Sequence, residues 1–186
     1  GQPLDDLLLD ITLGRYRLVG KLTGFYQNGS LFYRYAGLKG KDFMGALLHH
    51  LLINHVQPQT TFLLSKNKDE EQQHDDLILL PDYCDPDYLP ALLEIYQLGQ
   101  QQPDAFFVEA ALAYIKQAYK LETGNQAKKS ALDEAKSALA RAVEQPFEPE
   151  LRRLYQNVAD FGVVLGEPFE AQCQSLLMPV WTATHQ

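Results

Sequence analysis

The stretch that most resembles metal-dependent chemistry is Glu134-Ala135-Lys136, which lies 30 residues after Pro103-Asp104. Two carboxylates could hold Mg²⁺, and a lysine two residues after one of them could stabilise charge at a scissile phosphate. Lys136 is the only lysine in the chain with a carboxylate two positions before it. The chemistry requires a strand, where residues i and i+2 share a face. This segment is instead strongly helix-forming, and on a helix i and i+2 point about 200° apart. It reads as an ordinary solvated helix surface.

Other constellations fail on spacing. His49, His50 and His55 offer no pair at i, i+3 or i, i+4, so no helical metal site follows, and satisfied or solvent-facing rings are expected. Gly14 and Gly20-Lys21 are one residue too far apart for a phosphate-binding loop, and Leu22 stands where Ser or Thr should bind Mg²⁺. The acidic stretch from His74-Asp75-Asp76 through Asp87 has no Ca²⁺-loop order and no central Gly. Cys84 and Cys173 form neither a metal pattern nor a disulfide framework, and no serine sits in a Gly-x-Ser-x-Gly turn. No cofactor and no metal site is expected.

What remains is a basic, aromatic segment. Arg15, Arg17, Lys21, Arg34, Lys39 and Lys41 fall between residues 11 and 41 with no acidic residue among them. Phe25, Tyr26, Phe32 and Tyr33 flank Asn28-Gly29, a hairpin turn signal. Cations can track phosphates and aromatics can stack on unpaired bases. Arg15, Arg17, Lys21, Phe25, Tyr26, Arg34, Lys39 and Lys41 are therefore the candidate DNA contacts. The bland alternative is solvated strand faces above a sheet whose aromatics are buried. The net charge of −8 speaks against a general nucleic-acid coat protein.

The elements that would carry these residues follow from periodicity. Residues 7 to 36 are rich in β-branched and aromatic side chains and read as strands, with Arg15-Tyr16-Arg17-Leu18 alternating wet and dry. A helix over 41 to 55 is predicted from Phe43, Leu47, Leu48, Leu51 and Leu52. Strands at 61 to 64 and 77 to 80 bracket a polar loop from 65 to 76. Asp85-Pro86 starts a helix with Leu89, Leu92, Leu93 and Tyr96 on one face and Gly99 as its stop. Helices over 105 to 121, along the Leu132, Ala135, Leu139 and Ala142 face, over 150 to 160 and over 168 to 178 complete the chain. The expected fold is α+β, one domain over 1–186, with a sheet-rich part over 1–82 and a mainly helical part over 83–186. No apolar run approaches the roughly 20 residues that span a bilayer. The N-terminus opens on Asp5, Asp6 and Asp10 rather than a basic signal, so a cytoplasmic protein is expected.

The segment Tyr16-Arg17-Leu18-Val19-Gly20-Lys21-Leu22-Thr23-Gly24, then Leu31-Phe32-Tyr33-Arg34-Tyr35 and the Leu-rich helix, resembles the C-terminal domain of RecC, the gamma subunit of exodeoxyribonuclease V. Tyr96-Gln97-Leu98-Gly99 before Pro103-Asp104-Ala105-Phe106-Phe107 adds to the likeness, as do Phe169-Glu170-Ala171 and Pro179, so that it runs from about 10 to 179. The resemblance implies a degenerate PD-(D/E)xK nuclease-like core. In it Thr23 stands where an active relative has a metal-binding Asp, and Arg34-Tyr35-Ala36 stands where it has Asp-x-Lys. It also implies a fragment of a larger subunit that assembles with a RecB-like beta subunit and a RecD-like alpha subunit to process double-strand DNA ends. The function expected is thus non-catalytic assembly and DNA handling. The alternatives are an active Mg²⁺-dependent nuclease and a DNA-independent helical adaptor.

Overall fold

The computed structural model describes residues 1–66, 76–80, 85–101, 106–124, 128–146 and 149–185. Most of the polar loop, Cys84 and Pro103-Asp104 lie outside the described residues. The chain forms two compact units. One takes residues 1–38, 42–103 and 183–186, and the other takes 39–41 and 104–182.

The first unit holds the strands found among the described residues. β1 (Leu7–Leu13) and β2 (Tyr16–Leu22) form a two-stranded antiparallel sheet whose register pairs Leu13 with Tyr16 and Leu7 with Leu22. Its turn is Gly14-Arg15, with Gly14 at φ 57°, a value a tight two-residue hairpin favours and most side chains resist. Alternation sends Leu7, Leu9, Ile11 and Leu13 to one face and Leu8, Asp10 and Thr12 to the other. Leu9 is buried, and Leu8 is left exposed.

β3 (Phe25–Tyr26), β4 (Gly29–Arg34), β5 (Thr61–Ser65) and β6 (Asp76–Leu80) make a second sheet in that order. The β3–β4 hairpin pairs Tyr26 with Gly29, so its turn is Gln27-Asn28. The sequence places it one residue later, at Asn28-Gly29. The correction has a steric reason. Gly29 (φ 130°) sits inside the ladder because any side chain there would run into the carbonyl oxygen of Thr60. Its glycine serves close backbone approach rather than turn conformation.

Between β4 and β5 runs α1 (Gly40–Val56), and the two strands it joins are parallel, Ser30 opposite Thr61 and Arg34 opposite Ser65. Phe43, Leu47 and Leu51 recur every four residues and are buried, with Ala46, His50 and Ile53 beside them. Each such apolar side chain contributes about 1.5–3 kcal/mol by leaving water. The inward face of β4 and β5 carries Ser30, Phe32, Arg34, Thr61, Leu63 and Ser65, and the opposite face carries Leu31 and Tyr33, both exposed. α2 (Tyr88–Gln101) begins after an Asp85 side chain that accepts the Asp87 N–H at 3.0 Å. It continues past Gly99, which the sequence reads as its stop. Leu89 is buried as the apolar stripe requires, whereas Tyr96 is exposed.

The second unit is helical: α3 (Val108–Glu122), α4 (Ala131–Val143), α5 (Pro149–Tyr155), α6 (Phe161–Gln172) and α7 (Met178–Ala183). A π-helical stretch, Cys173–Leu177, joins the last two. Ser130 caps α4 by accepting the Asp133 N–H. Gly166, two residues before Pro168, has non-helical angles and kinks α6. Past that break the chain stays helical through Ala183, so the helix expected over 168 to 178 begins where expected and ends later. Ala110, Ala111, Ile115, Ala118, Ala135, Leu139, Leu165, Phe169 and Leu177 supply the core. The architecture is α+β.

Gly29→Ala should destabilise the chain by about 2–3 kcal/mol in urea unfolding, since strained backbone and a collision with Thr60 act together. Gly20→Ala in β2, where an added Cβ meets nothing within 4 Å, should change stability by no more than about 0.5 kcal/mol.

Candidate functional site

Each basic residue of the first unit that the sequence offers for phosphate contact is held by a carboxylate of the same unit. Arg17 donates from Nε and Nη2 to both oxygens of Asp10 at 2.8 Å, a bidentate pair on the outer face of the first hairpin. Its guanidinium holds the Asp10 carboxyl below the ordinary carboxylate range. Lys21 reaches Asp6 at 2.8 Å. Arg15, at the turn, donates to the Tyr16 hydroxyl and to Glu94 of α2. Arg34, half-buried at the end of β4, bonds the Gly37 carbonyl at 3.1 Å and pairs with Asp42 in the first turn of α1 at 3.1 Å. A helix start is a favourable place for that carboxylate, because the helix dipole supports it as well.

Lys39 and Lys41 belong to the second unit. There the backbone N–H groups of Gly40 and Lys41 donate to Glu109 at 2.9 and 3.4 Å. The candidate DNA contacts thus fall in two units, and within the first they are distributed between two sheets.

The aromatic candidates divide by face. Phe25 is only 6% exposed, so it offers no ring to a base. It and Phe32 lie on the inward face, against His49 of α1, at ring-centre distances of 5.2 and 4.9 Å. Tyr26 is half-buried. Tyr33 at 78% and Tyr35 at 90% are exposed, with the Lys66 ammonium 5.3 Å from the centre of the Tyr35 ring.

The positions compared with a nuclease centre are also resolved. Thr23 is exposed in the link between β2 and β3, and its carbonyl accepts a hydrogen bond from His49 Nε2 at 3.0 Å. Ala36 lies just past β4, where its carbonyl accepts the Lys66 N–H at 3.1 Å. β2 and β4 belong to different sheets, so Thr23 and Arg34 do not lie on hydrogen-bonded neighbouring strands. Glu134-Ala135-Lys136 is helical, within α4, with Ala135 fully buried and Glu134 paired to Arg141 at 3.2 Å and Lys129 at 3.7 Å. Among the described residues no three His, Cys, Asp or Glu side chains gather where they could hold a metal ion. Cys173 is buried in the second unit, and burial pushes its thiol up to about 12, which removes it as a nucleophile.

Sequence reasoning missed the partners rather than the bases. Asp6 and Asp10 stand outside the 11–41 window in which the positive charge looked uncompensated. A hairpin centred on Gly14-Arg15 was the available signal: it sets Arg17 opposite Thr12, one diagonal step from Asp10. His49 was also missed as a packing element, because a helical histidine next to another histidine gives no sign of two phenylalanines from distant strands.

These features define an α+β chain in which Arg15, Arg17, Lys21 and Arg34 are matched by carboxylates of their own unit, without a metal-holding cluster among the described residues. A family model described as the RecC C-terminal domain matches residues 1–119, and the chain belongs to that family. Membership associates it with the RecBCD-type DNA-repair complex, exodeoxyribonuclease V, which contains RecB and RecD. The match ends within α3, so α4 to α7, including Phe169-Glu170-Ala171 and Pro179, lie beyond it. No curated protein matches the chain. No helix among the described residues is long and apolar enough to cross a membrane.

Burial lowers the His49 pKa, with a smaller opposing effect from the Thr23 carbonyl. The unfolded chain therefore takes up this proton at higher pH than the folded one. The neutral ring's contribution is complete above the ordinary value of 6.5 and is lost as pH falls from there towards the lowered folded value. Stability measured from pH 7 down to pH 5 should fall less steeply in His49→Gln than in the parent chain. Equal slopes would show that His49 does not titrate as this environment requires.

Proposed function

We propose that the chain is a non-catalytic assembly domain of a RecBCD-type helicase–nuclease, a fragment of a larger subunit that docks the RecD-like alpha and RecB-like beta subunits. The observation that carries this reading is the pairing of Arg15, Arg17, Lys21 and Arg34 with Glu94, Asp10, Asp6 and Asp42. Cations already occupied by carboxylates release few counterions to DNA, so phosphate binding gains little. Exposed pairs of this kind add little to stability, and their effect is to leave a patterned polar surface suited to a protein partner.

The degenerate PD-(D/E)xK core belongs to the same proposal. An active centre of that type needs carboxylates for Mg²⁺ and a lysine beside them. Thr23, Arg34 and Ala36 supply none of these, and Arg34 brings a cation where a metal would be repelled. On this reading the two compact units act together as one domain over 1–186, working in the cytoplasm near the separated strands of a double-strand break. Tyr33, Tyr35 and Lys66 favour a secondary part in DNA handling, because exposed rings beside a cation suit unpaired bases.

Co-expression with a tagged RecD-like alpha subunit should retain the 186-residue chain on the tag, and incubation with Mg²⁺ and linear duplex should leave the DNA intact. Mg²⁺-dependent cleavage that disappears in Glu134→Ala would establish an active nuclease instead. Failure to associate with either the alpha or the beta subunit would remove the assembly role.

A further inference from the structure

In the second unit, beyond the residues of the family match, α4, α5 and the start of α6 enclose an open cleft of about 420 Å³. Val143, Val158 and Phe161 line it with apolar surface, while Arg152, Asn157 and Glu144 stand at its polar edge. Arg152 and its neighbour Arg153 are exposed, and neither pairs with a carboxylate among the described residues. They differ in this from the paired arginines of the first unit. Leu154, next to Arg153 in sequence, is 71% exposed, and Val163 in α6 is 84% exposed.

We propose that this cleft is a docking site for an acidic, amphipathic peptide segment of a partner protein, with an apolar side chain in the cleft and a carboxylate on Arg152. Charge decides the occupant. A guanidinium that pairs with no carboxylate among the described residues is a ready bidentate donor for a carboxylate. Glu144, on the same cleft, can accept a backbone N–H from a peptide, but it repels the phosphates of a nucleic acid, which offer it no donor. The apolar lining then supplies the anchor on which affinity depends, since a large side chain buried in a fitted pocket contributes far more than rim contacts do. Tyr155 keeps α5 in place beside the cleft through an edge-to-face contact with Phe107, ring centres 5.5 Å apart at 88°. The site is independent of the assembly proposal, because it would bind such a segment whatever complex the chain joins.

Fluorescence anisotropy of the full chain with three labelled probes tests it: a short alternating Glu/Leu peptide, the same peptide with Gln for Glu, and an oligo-dT strand. The Glu/Leu peptide should bind at least about tenfold tighter than the Gln/Leu peptide. Arg152→Glu, an exposed change, should weaken that binding by about tenfold or more. Ala140→Phe, which fills the cleft from α4, should weaken both peptides together. Absence of Glu/Leu binding, equal binding of the two peptides, indifference to Arg152→Glu, or oligo-dT binding through Arg152 would each overturn the proposal.

Discussion

Asn54, near the end of α1, holds the segment that turns the chain from helix into β5. Its side chain donates to the Gln59 carbonyl and accepts the Gln59 N–H, both at 2.9 Å, and it also reaches His50. Gln59 continues to the Ser30 hydroxyl at 2.9 Å, and His50 Nδ1 meets the Thr61 hydroxyl at 3.0 Å. Ser30 and Thr61 are fully buried and face one another across the parallel β4–β5 pair. Buried polar groups are costly unless they are partnered, so this chain of bonds favours one register over its neighbours. A slip of one residue would exchange the two faces of β4. It would turn Tyr33 into the α1 interface and Phe32 and Arg34 out to solvent. The rest of the first unit depends on that register. It brings Phe32 to His49 and Arg34 to Asp42, and it leaves Leu31 and Tyr33 outside.

That arrangement also determines what the charges can do. Arg34 is drawn in beside a helix start and compensated there, while Arg17 and Lys21 stay on the outer face of the first hairpin with Asp10 and Asp6 within reach. A chain of net charge −8 has more carboxylates than cations to match them, and the first unit uses several on its own bases. Around these residues each cation sits beside a carboxylate, so charge alternates in sign locally. Alternating charge selects a complementary protein face and gives little pull on a uniformly negative polymer. The family assignment and the electrostatics therefore support the same reading from separate directions.

Much of the fold was legible because local and tertiary preferences agree. Phe43, Leu47 and Leu51 announce α1 by their spacing, and the strand expected at 61 to 64 is found at Thr61–Ser65. The hairpin turn was displaced by one residue because Asn28-Gly29 carries a turn signature, while Gly29 is actually required by the approach of Thr60, just before β5. Such a constraint comes from a residue some thirty positions away, and no local pattern contains it. The same holds for the candidate site. Charge read along the chain found the cations, but their partners lie across a hairpin, in the following helix or, for Arg15, 79 residues away at Glu94. Alternation alone could not decide which of Phe25, Phe32 and Tyr33 are covered, since that depends on where α1 packs.

Paired cations and free cations differ most directly in how binding responds to salt. Titration of the chain with single-stranded DNA over a series of ionic strengths gives log Kobs against log salt, whose slope counts the phosphates neutralised. With Arg15, Arg17, Lys21 and Arg34 engaged by carboxylates, binding should be weak, with a slope no steeper than about −1. A slope of about −3 or steeper, lost when the four residues are replaced by alanine, would contradict the account, because all four cations would then be tracking phosphates.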